Sequence, residues 1–332
     1  HRSFEAAEFL LDQVMTQKIP DIPSRALRGA ITRSPNAALV DGLLQAVESP
    51  GENQGLAVAV EIMGWRREKA AVRALMSILE EDSRTSLVRK AVVAALGRIG
   101  DPRAQEELLA HIGDPDLGEE VAVALLLLGD RRGVDYHAQC LAAGTELDAA
   151  PGEIVGRYGG PAYLLLLRST AEGQGPRALG ALQGLGYLGD PRGVPSLLGA
   201  MSRRDRTATA VAAGALEMIT GHREDLDQPG LHALWEKYWE DNERVFQEGV
   251  RYRDGKVMDL SLLVGKLGDD DALVRRGAYD ELVISTGCNL PFDADGPWRV
   301  QLAHRRAWRK WVRQQGENYG RGGWWFNGES IG

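Results

Sequence analysis

Hydrophobic and polar positions follow a pattern that returns about every thirty residues in the central part of the chain. In the clearest unit, Val194, Leu197, Leu198 and Met201 fall four, seven, eight and eleven positions after Asp190. This spacing places them on one stripe of an amphipathic helix. The markers of successive units lie 29, 30 and 30 residues apart and are Asp101, Asp130, Gly160 and Asp190. Such a period predicts stacked helical hairpins, that is, a helical solenoid.

Turn residues indicate where each predicted hairpin begins. In Asp190-Pro191 the aspartate suits a helix N-cap and the proline suits the first helical position, and Asp101-Pro102 repeats the pair. Glycines before the four markers fit a left-handed residue after the preceding helix; they are Gly100, Gly129, Gly159 and Gly189. A second helix is predicted between markers, over residues 88–99, 119–128 and 207–219.

Short motifs in these units resemble HEAT repeats. They are the turn Gly113-Asp114-Pro115-Asp116, the turn Asp269-Asp270-Asp271 before Val274-Arg275, and Val88-Arg89 ahead of a helix rich in alanine and leucine. The likeness is to the short variety seen in phycobilin lyase-like proteins, and it spans roughly residues 36–285. It implies an all-α fold, a right-handed α-solenoid of HEAT-like helical hairpins. Because such arrays serve as scaffolds, adaptors and occasionally enzymes, the motif does not name a function.

The composition changes after residue 219. Seven of the eight tryptophans lie between Trp235 and Trp325. Two stretches align at a constant offset of 73 residues, which matches Trp235 with Trp308 and Tyr252 with Trp325. We interpret them as copies of one Trp-rich unit, in which a helix precedes a glycine-rich tail. The rings either cover the terminal apolar face of the solenoid or form an exposed hot spot for a partner.

These patterns divide the chain into three predicted segments. Residues 1–35 form an N-terminal helical cap, and residues 36–219 form the HEAT-like repeats. Residues 220–332 form the duplicated, Trp-rich C-terminal cap, which includes one further HEAT-like hairpin.

Charge and cysteine content narrow the expected partners and compartment. The net charge of −8 argues against a dedicated nucleic-acid binder, since phosphate contacts need an excess of Lys and Arg. Cys140 and Cys288 are too few for a disulfide scaffold, so a reducing compartment, the cytoplasm, is expected. No stretch approaches the ~18 apolar residues of a membrane span, so no membrane partner is expected.

No catalytic, cofactor-binding or metal-binding residue is predicted. The six histidines include no pair with the spacing of a zinc site on a helix. His137 falls on an apolar stripe, and we interpret it as a satisfied buried imidazole. Cys288, His304, Asp293 and Asp295 resemble a nucleophile with its base, although nearness in sequence says little about spatial reach.

A group of cations near the carboxyl terminus is the main candidate for binding. Arg305, Arg306, Arg309, Lys310 and Arg313 form either a solvated helix face or a site for an acidic partner. Together with the aromatic hot spot, this predicts a protein-binding set that consists of Trp235, Trp239, Arg305, Arg306, Arg309, Trp324 and Trp325.

The chain as a whole resembles an uncharacterised bacterial HEAT-repeat family encoded in type VI secretion effector gene clusters. The motifs are Asp41-Gly42-Leu43, Leu290-Pro291-Phe292-Asp293, Asp295-Gly296-Pro297-Trp298 and Trp325-Phe326-Asn327-Gly328. This resemblance implies a non-enzymatic cytoplasmic adaptor or chaperone for a secreted effector or spike component. An immunity protein that binds a toxin is the first alternative. A tetrapyrrole-handling enzyme of the phycobilin lyase type and a HEAT-like DNA glycosylase are the others, and the acidity of the chain speaks against the last.

Overall fold

The structure is a computed structural model that describes residues 37–48, 54–81, 84–144, 149–203 and 205–332. The N-terminal cap predicted over residues 1–35 lies outside these ranges. The chain divides into two compact units, residues 1–133 and residues 134–332.

In the first unit, helices alternate between a shorter helix that follows a turn and a longer one that packs on its neighbours. They are α1 (Ala37–Glu48), α2 (Gln54–Arg66), α3 (Val72–Glu80), α4 (Ser86–Ile99), α5 (Gln105–Ala110) and α6 (Gly118–Leu127). Helix α7 (Arg132–Ala143) begins at the end of this unit and continues into the second. The predicted second helices over residues 88–99 and 119–128 are confirmed as α4 and α6.

The second unit continues the alternation and adds two short β-hairpins. Its helices are α8 (Ala150–Tyr158), α9 (Leu164–Ala171), α10 (Pro176–Leu188), α11 (Val194–Met201), α12 (Arg206–Thr220), α13 (Leu231–Asn242), α14 (Leu260–Lys266), α15 (Ala272–Thr286) and α16 (Trp298–Gln315). The antiparallel hairpins pair β1 (Tyr252–Arg253) with β2 (Lys256–Val257), and β3 (Trp325–Phe326) with β4 (Glu329–Ser330). The predicted helix over residues 207–219 is confirmed as α12.

The repeated turns use an aspartate and an arginine together. In three turns the Asp carboxylate accepts the backbone N–H two residues later, and it also binds the guanidinium of that same residue. The N···O distances of the backbone bonds are 3.0, 2.9 and 3.0 Å in Asp101–Arg103, Asp130–Arg132 and Asp190–Arg192. The hydrogen bonds from Arg103 hold the pKa of Asp101 at about 2. The predicted caps at Asp101 and Asp190 are therefore confirmed, and each starts a 3₁₀ turn.

The predicted left-handed glycines are confirmed in three turns and wrong in one. Gly100, Gly129 and Gly189 have φ angles of 69°, 77° and 72°. Gly159 instead has a φ of −77° and continues the preceding helix. The positive φ, 79°, belongs to Gly160, where only glycine is free of strain. The turn is thus shifted by one residue.

Small residues allow the longer helices of each unit to pack closely. A Cβ at Gly64 would lie 2.7 Å from the Cα of Ala95, and a Cβ at Gly97 would lie 2.8 Å from the Cα of Ala124. In the second unit Gly156 meets Gly184 in the same way. Helices α2, α4 and α6 therefore stack in the first unit, and α8, α10 and α12 stack in the second. This is the expected all-α, HEAT-like arrangement.

The two stretches that align at an offset of 73 residues each contain a short hairpin of the same kind. Each hairpin turns at two residues with positive φ, Asp254-Gly255 and Asn327-Gly328, as type I′ hairpins require. The N–H groups of the first turn donate to the carbonyls of residues 218 and 219 at the end of α12, at 2.7 and 3.1 Å. Those of the second turn donate to residues 284 and 285 at the end of α15, at 2.7 and 2.9 Å. Each hairpin thus caps carbonyls that a helix end leaves unpaired.

Candidate protein-binding surface

Helix α16 presents two different faces. Trp308 on one face is completely buried, with its ring centre 6.2 Å from that of Tyr279 and 5.8 Å from that of Trp311. Trp311 in turn contacts Tyr319, which contacts Trp325 in β3. Burial of large rings is the main source of stability in such a helix. This aromatic row therefore fixes which side of α16 faces solvent.

The solvent side of α16 is strongly basic. Arg306, Arg309, Lys310 and Arg313 are exposed, and the 18 residues of the helix contain no Asp or Glu. Arg305 is only partly exposed, because its guanidinium packs against Gly268. Burial, followed by the repulsion of Arg309, lowers the pKa of Arg305. We call the five cations the basic face.

The basic face carries unbalanced charge. Like charges four residues apart destabilise a helix by about 0.2–0.5 kcal/mol per pair, and three such pairs occur here. They are Arg305–Arg309, Arg306–Lys310 and Arg309–Arg313. Within the described residues none of these side chains forms an ion pair. No ion pair among the described residues therefore offsets this repulsion.

The predicted aromatic hot spot is corrected at two positions. Trp235 is 1% exposed, and Trp324 is 2% exposed with its Nε1 donating to the carbonyl of Leu188 at 2.9 Å. Both rings lie in the hydrophobic core of the second unit, since burial of so large an apolar area outweighs presenting it to solvent. At Trp235 and Trp324 the interpretation as packing is correct, and the exposed-hot-spot interpretation is wrong.

The two other tryptophans of the predicted set lie on different elements. Trp239, on α13, and Trp325, on β3, are partly exposed and pack on Phe246 and Tyr319. Trp325 is linked through Tyr319 and Trp311 to the helix that carries the basic face. Trp239 belongs to the other copy of the duplicated unit. The aromatic row therefore connects Trp325 to the helix of the predicted arginines. Trp239 lies on α13 and is not part of that row.

A buried ionic cluster, which the sequence analysis missed, holds the first hairpin in place. Glu281 of α15 is 1% exposed and accepts a hydrogen bond from Arg251 at 2.7 Å. Arg253 lies 3.5 Å from the same carboxylate oxygen. Arg251 also donates to the carbonyl of Tyr187 at 3.0 Å, and the guanidinium of Arg157 lies 3.8 Å from the centre of the Tyr187 ring. The cluster thus joins α8, α10, α15 and the hairpin.

The pKa shifts of Glu281 and Arg251 leave both groups charged at neutral pH. Burial works to raise the pKa of Glu281, but the charges of Arg253, Arg251 and Arg157 outweigh it and lower that pKa. Burial lowers the pKa of Arg251 to about 10. Glu281 and Arg251 therefore form a structural ion pair and are not suited to transfer a proton between them. A sequence signal exists in Arg251-Tyr252-Arg253, since alternate residues of a strand share one face.

The carboxylates that the sequence suggested as part of a catalytic group make structural contacts. Asp295 pairs with Arg276 at 2.7 Å, and its backbone N–H donates to Asp293 at 3.1 Å. Both carboxylates of the proposed nucleophile group are thus engaged in a turn and an ion pair. No group of three or more His, Cys, Asp or Glu in the described ranges is arranged to hold a metal ion.

A surface cavity of about 460 Å³ lies beside the ends of α9 and α11. Its two described arginines are committed to protein groups. Arg203 donates to the carbonyls of Ala171 and Gly173 at 2.9 and 2.8 Å, and Arg206 pairs with Asp227 at 2.6 Å. These arginines are therefore less able to bind an anion than their presence in the cavity suggests.

His137 is buried as predicted, but it is not satisfied. Neither ring nitrogen has a hydrogen-bond partner in the described part of the chain. Burial lowers the pKa of His137 to about 4, because the charged form loses its hydration. The expectation of a satisfied imidazole is thus wrong for both ring nitrogens.

We expect His137 to make the protein less stable as the pH falls. The unfolded histidine binds a proton near pH 6.5 and the folded one near pH 4, so stability present above 6.5 is lost between these values. The loss is on the order of 3 kcal/mol. Urea unfolding of wild type and His137→Leu at pH 7 and pH 4.5 measures it: the decrease in unfolding free energy should be smaller in the variant. Equal decreases would contradict the assignment.

Comparison with known proteins bears on the first unit. Residues 40–129 match HEAT repeats. The structure of human deoxyhypusine hydroxylase in complex with glycerol is similar at 17% sequence identity, over 84% of this chain and 96% of that one, with a TM-score of 0.33. A likeness this weak supports no argument about function. No helix among the described residues is long and apolar enough to cross a membrane. The repeat period, the capped turns and the stacked helices agree with the match, so residues 40–129 form HEAT repeats.

Proposed function

We propose that this protein is a non-catalytic scaffold that binds another protein through the basic face of α16. The observation that carries the proposal is a helix with no acid in its own sequence, in which the exposed cations of the basic face form no ion pair with the described residues. An acidic protein surface would remove the repulsion along the helix and gain the Coulomb energy. Trp325 lies at the edge of the aromatic row behind it and supplies an apolar contact.

A protein partner fits this surface better than a nucleic acid. Nucleic-acid binding requires a basic patch that outweighs the field of the whole protein, whereas this chain has a net charge of −8. HEAT-repeat arrays also present extended surfaces to protein partners.

We further propose that the client is an effector or spike component of a type VI secretion system, and that this protein is its cytoplasmic adaptor or chaperone. The support is the resemblance carried by the motifs of residues 290–298 and 325–328. An immunity protein that binds a toxin would use the same charge complementarity. In neither role does the protein catalyse a reaction.

Affinity capture from native bacterial cytosol, analysed by mass spectrometry, tests the proposal. The test variant is Arg306→Glu with Arg309→Glu, and the control, with the same charge change away from α16, is Arg223→Glu with Lys256→Glu. We expect wild type and control to retain the same protein partner and the test variant to lose it. Recovery of no protein above background, or retention of the partner by both variants, would overturn the proposal.

A further inference from the structure

The two copies of the duplicated unit carry opposite charges at equivalent exposed positions. Glu236 and Glu240 of α13 correspond, at the offset of 73 residues, to Arg309 and Arg313 of α16. All four are exposed. Trp235 and Trp308, the equivalent buried anchors, hold the two helices in the same orientation within their copies. The duplication thus gives one molecule an acidic helix and a basic helix of the same design.

The charges also match in register. On α13 and the 3₁₀ turn after it, Glu236, Glu240 and Glu243 are separated by four and then three residues. On α16, Arg306, Arg309 and Arg313 are separated by three and then four. Residues at such spacings share one face of a helix. When the two helices lie antiparallel, every carboxylate therefore faces a guanidinium.

Neither row is neutralised within its own molecule. Among the described residues, one carboxylate of the acidic row has a pairing partner. Glu236 lies 3.5 Å from Nε2 of His232 on the same helix. Glu240 and Glu243 form no ion pair within those residues, as the basic face forms none. Both rows are thus available to another molecule.

We propose that the protein associates with a second copy of itself, with the acidic row of α13 in one copy against the basic face of α16 in the next, antiparallel. The inference rests on the proposed function in that it uses the basic face as a docking surface, and it names one occupant. Because the two rows are different patches of one molecule, the contact is heterologous. Each added copy leaves a row free at either end, so the size of the assembly increases with protein concentration.

The association should be weak and electrostatic. Exposed ion pairs contribute little individually, and their attraction is screened by salt. A self-association of this kind is expected at low ionic strength and high protein concentration, and it should disappear at about 1 M salt, where the screening length is about 3 Å.

Sedimentation velocity of the purified full-length chain over a concentration series tests the inference. Glu236→Arg with Glu240→Arg reverses two of the three charges of the acidic row, and Arg309→Glu with Arg313→Glu reverses the two charges that face them in the antiparallel register. Each double variant alone should associate about a hundredfold more weakly than wild type, since like charges oppose each other. An equimolar mixture of the two should recover association as a mixed complex, and Arg223→Glu with Lys256→Glu should behave as wild type. The mixture excludes misfolding as the cause of the loss.

Two results would overturn the inference. One is a wild-type protein that stays monomeric at every concentration in low salt, and the other is association that the charge reversals leave unchanged. Either result leaves the proposed function intact if captured client still depends on Arg306 and Arg309. If the protein self-associates but captures no client, the proposed function fails and the self-association inference stands. The two failures are therefore distinguishable.

Discussion

Replacing Glu281 with glutamine should reduce the free energy of unfolding of the second unit by about 3–5 kcal/mol, because it leaves buried arginines without their anion. Glu281 accepts the hydrogen bond of Arg251 and lies within 3.5 Å of Arg253, and the side chains of both arginines are 4% exposed. Charges so enclosed cannot recover the lost interaction from water.

Urea unfolding followed by tryptophan fluorescence measures this effect selectively, since seven of the eight tryptophans lie in the second unit. The matched control is Glu217→Gln, which removes a carboxylate that pairs with Arg223 at the surface. Exposed pairs contribute about 0–1 kcal/mol, so this variant should unfold nearly as wild type does. A loss no larger in Glu281→Gln than in Glu217→Gln would show that the cluster does not hold the hairpin.

The stabilisation from Glu281 should also depend on pH in a defined direction. Its pKa is lowered in the folded protein, so the contribution is fully present above its ordinary value of 4.5. Below that value the contribution decreases as the pH falls through the folded pKa. The Glu281→Gln variant should therefore lose less stability on acidification than wild type.

Replacing Trp308 with alanine should cost about 3–5 kcal/mol, the range for a large aromatic residue removed from a packed core. The ring is completely buried against Tyr279 and Trp311. Its Nε1 has no hydrogen-bond partner among the described residues, so the ring stabilises by packing. Because it anchors α16, the same change should weaken client capture through the basic face.

Trp298→Ala is the control for this prediction on the same helix. Trp298 is 63% exposed, so its removal should change the unfolding free energy by no more than about 0.5 kcal/mol. Thermal or urea unfolding of both variants measures the two losses of unfolding free energy. Similar losses in the two would mean that burial of Trp308 is not what fixes the helix.

Much of the fold could be predicted because its determinants are local. The N-cap carboxylate of Asp190 acts on a backbone N–H two residues away, and the apolar stripe after it repeats within one helix. The single error among the turns arose at Gly159-Gly160, where two adjacent glycines both permit a positive φ and the pattern does not choose between them.

The candidate site was predictable in part. The exposure of Arg306 and Arg309 follows from their position relative to Trp308 on one helix. The burial of Trp324 does not follow from any local pattern, since its partner is the carbonyl of Leu188, 136 residues earlier. Composition alone therefore could not separate aromatic rings that pack the core from those that face solvent.

The sequence by itself determined the helical repeat and the capped turns, because each depends on spacings within one helix or between successive similar motifs. Only the tertiary structure decided which charges are neutralised. Glu281 meets Arg251 from 30 residues away, whereas the five cations of the basic face form no ion pair with the described residues. The physical reason is that desolvation and Coulomb energies depend on distances in space, which periodicity along the chain does not specify.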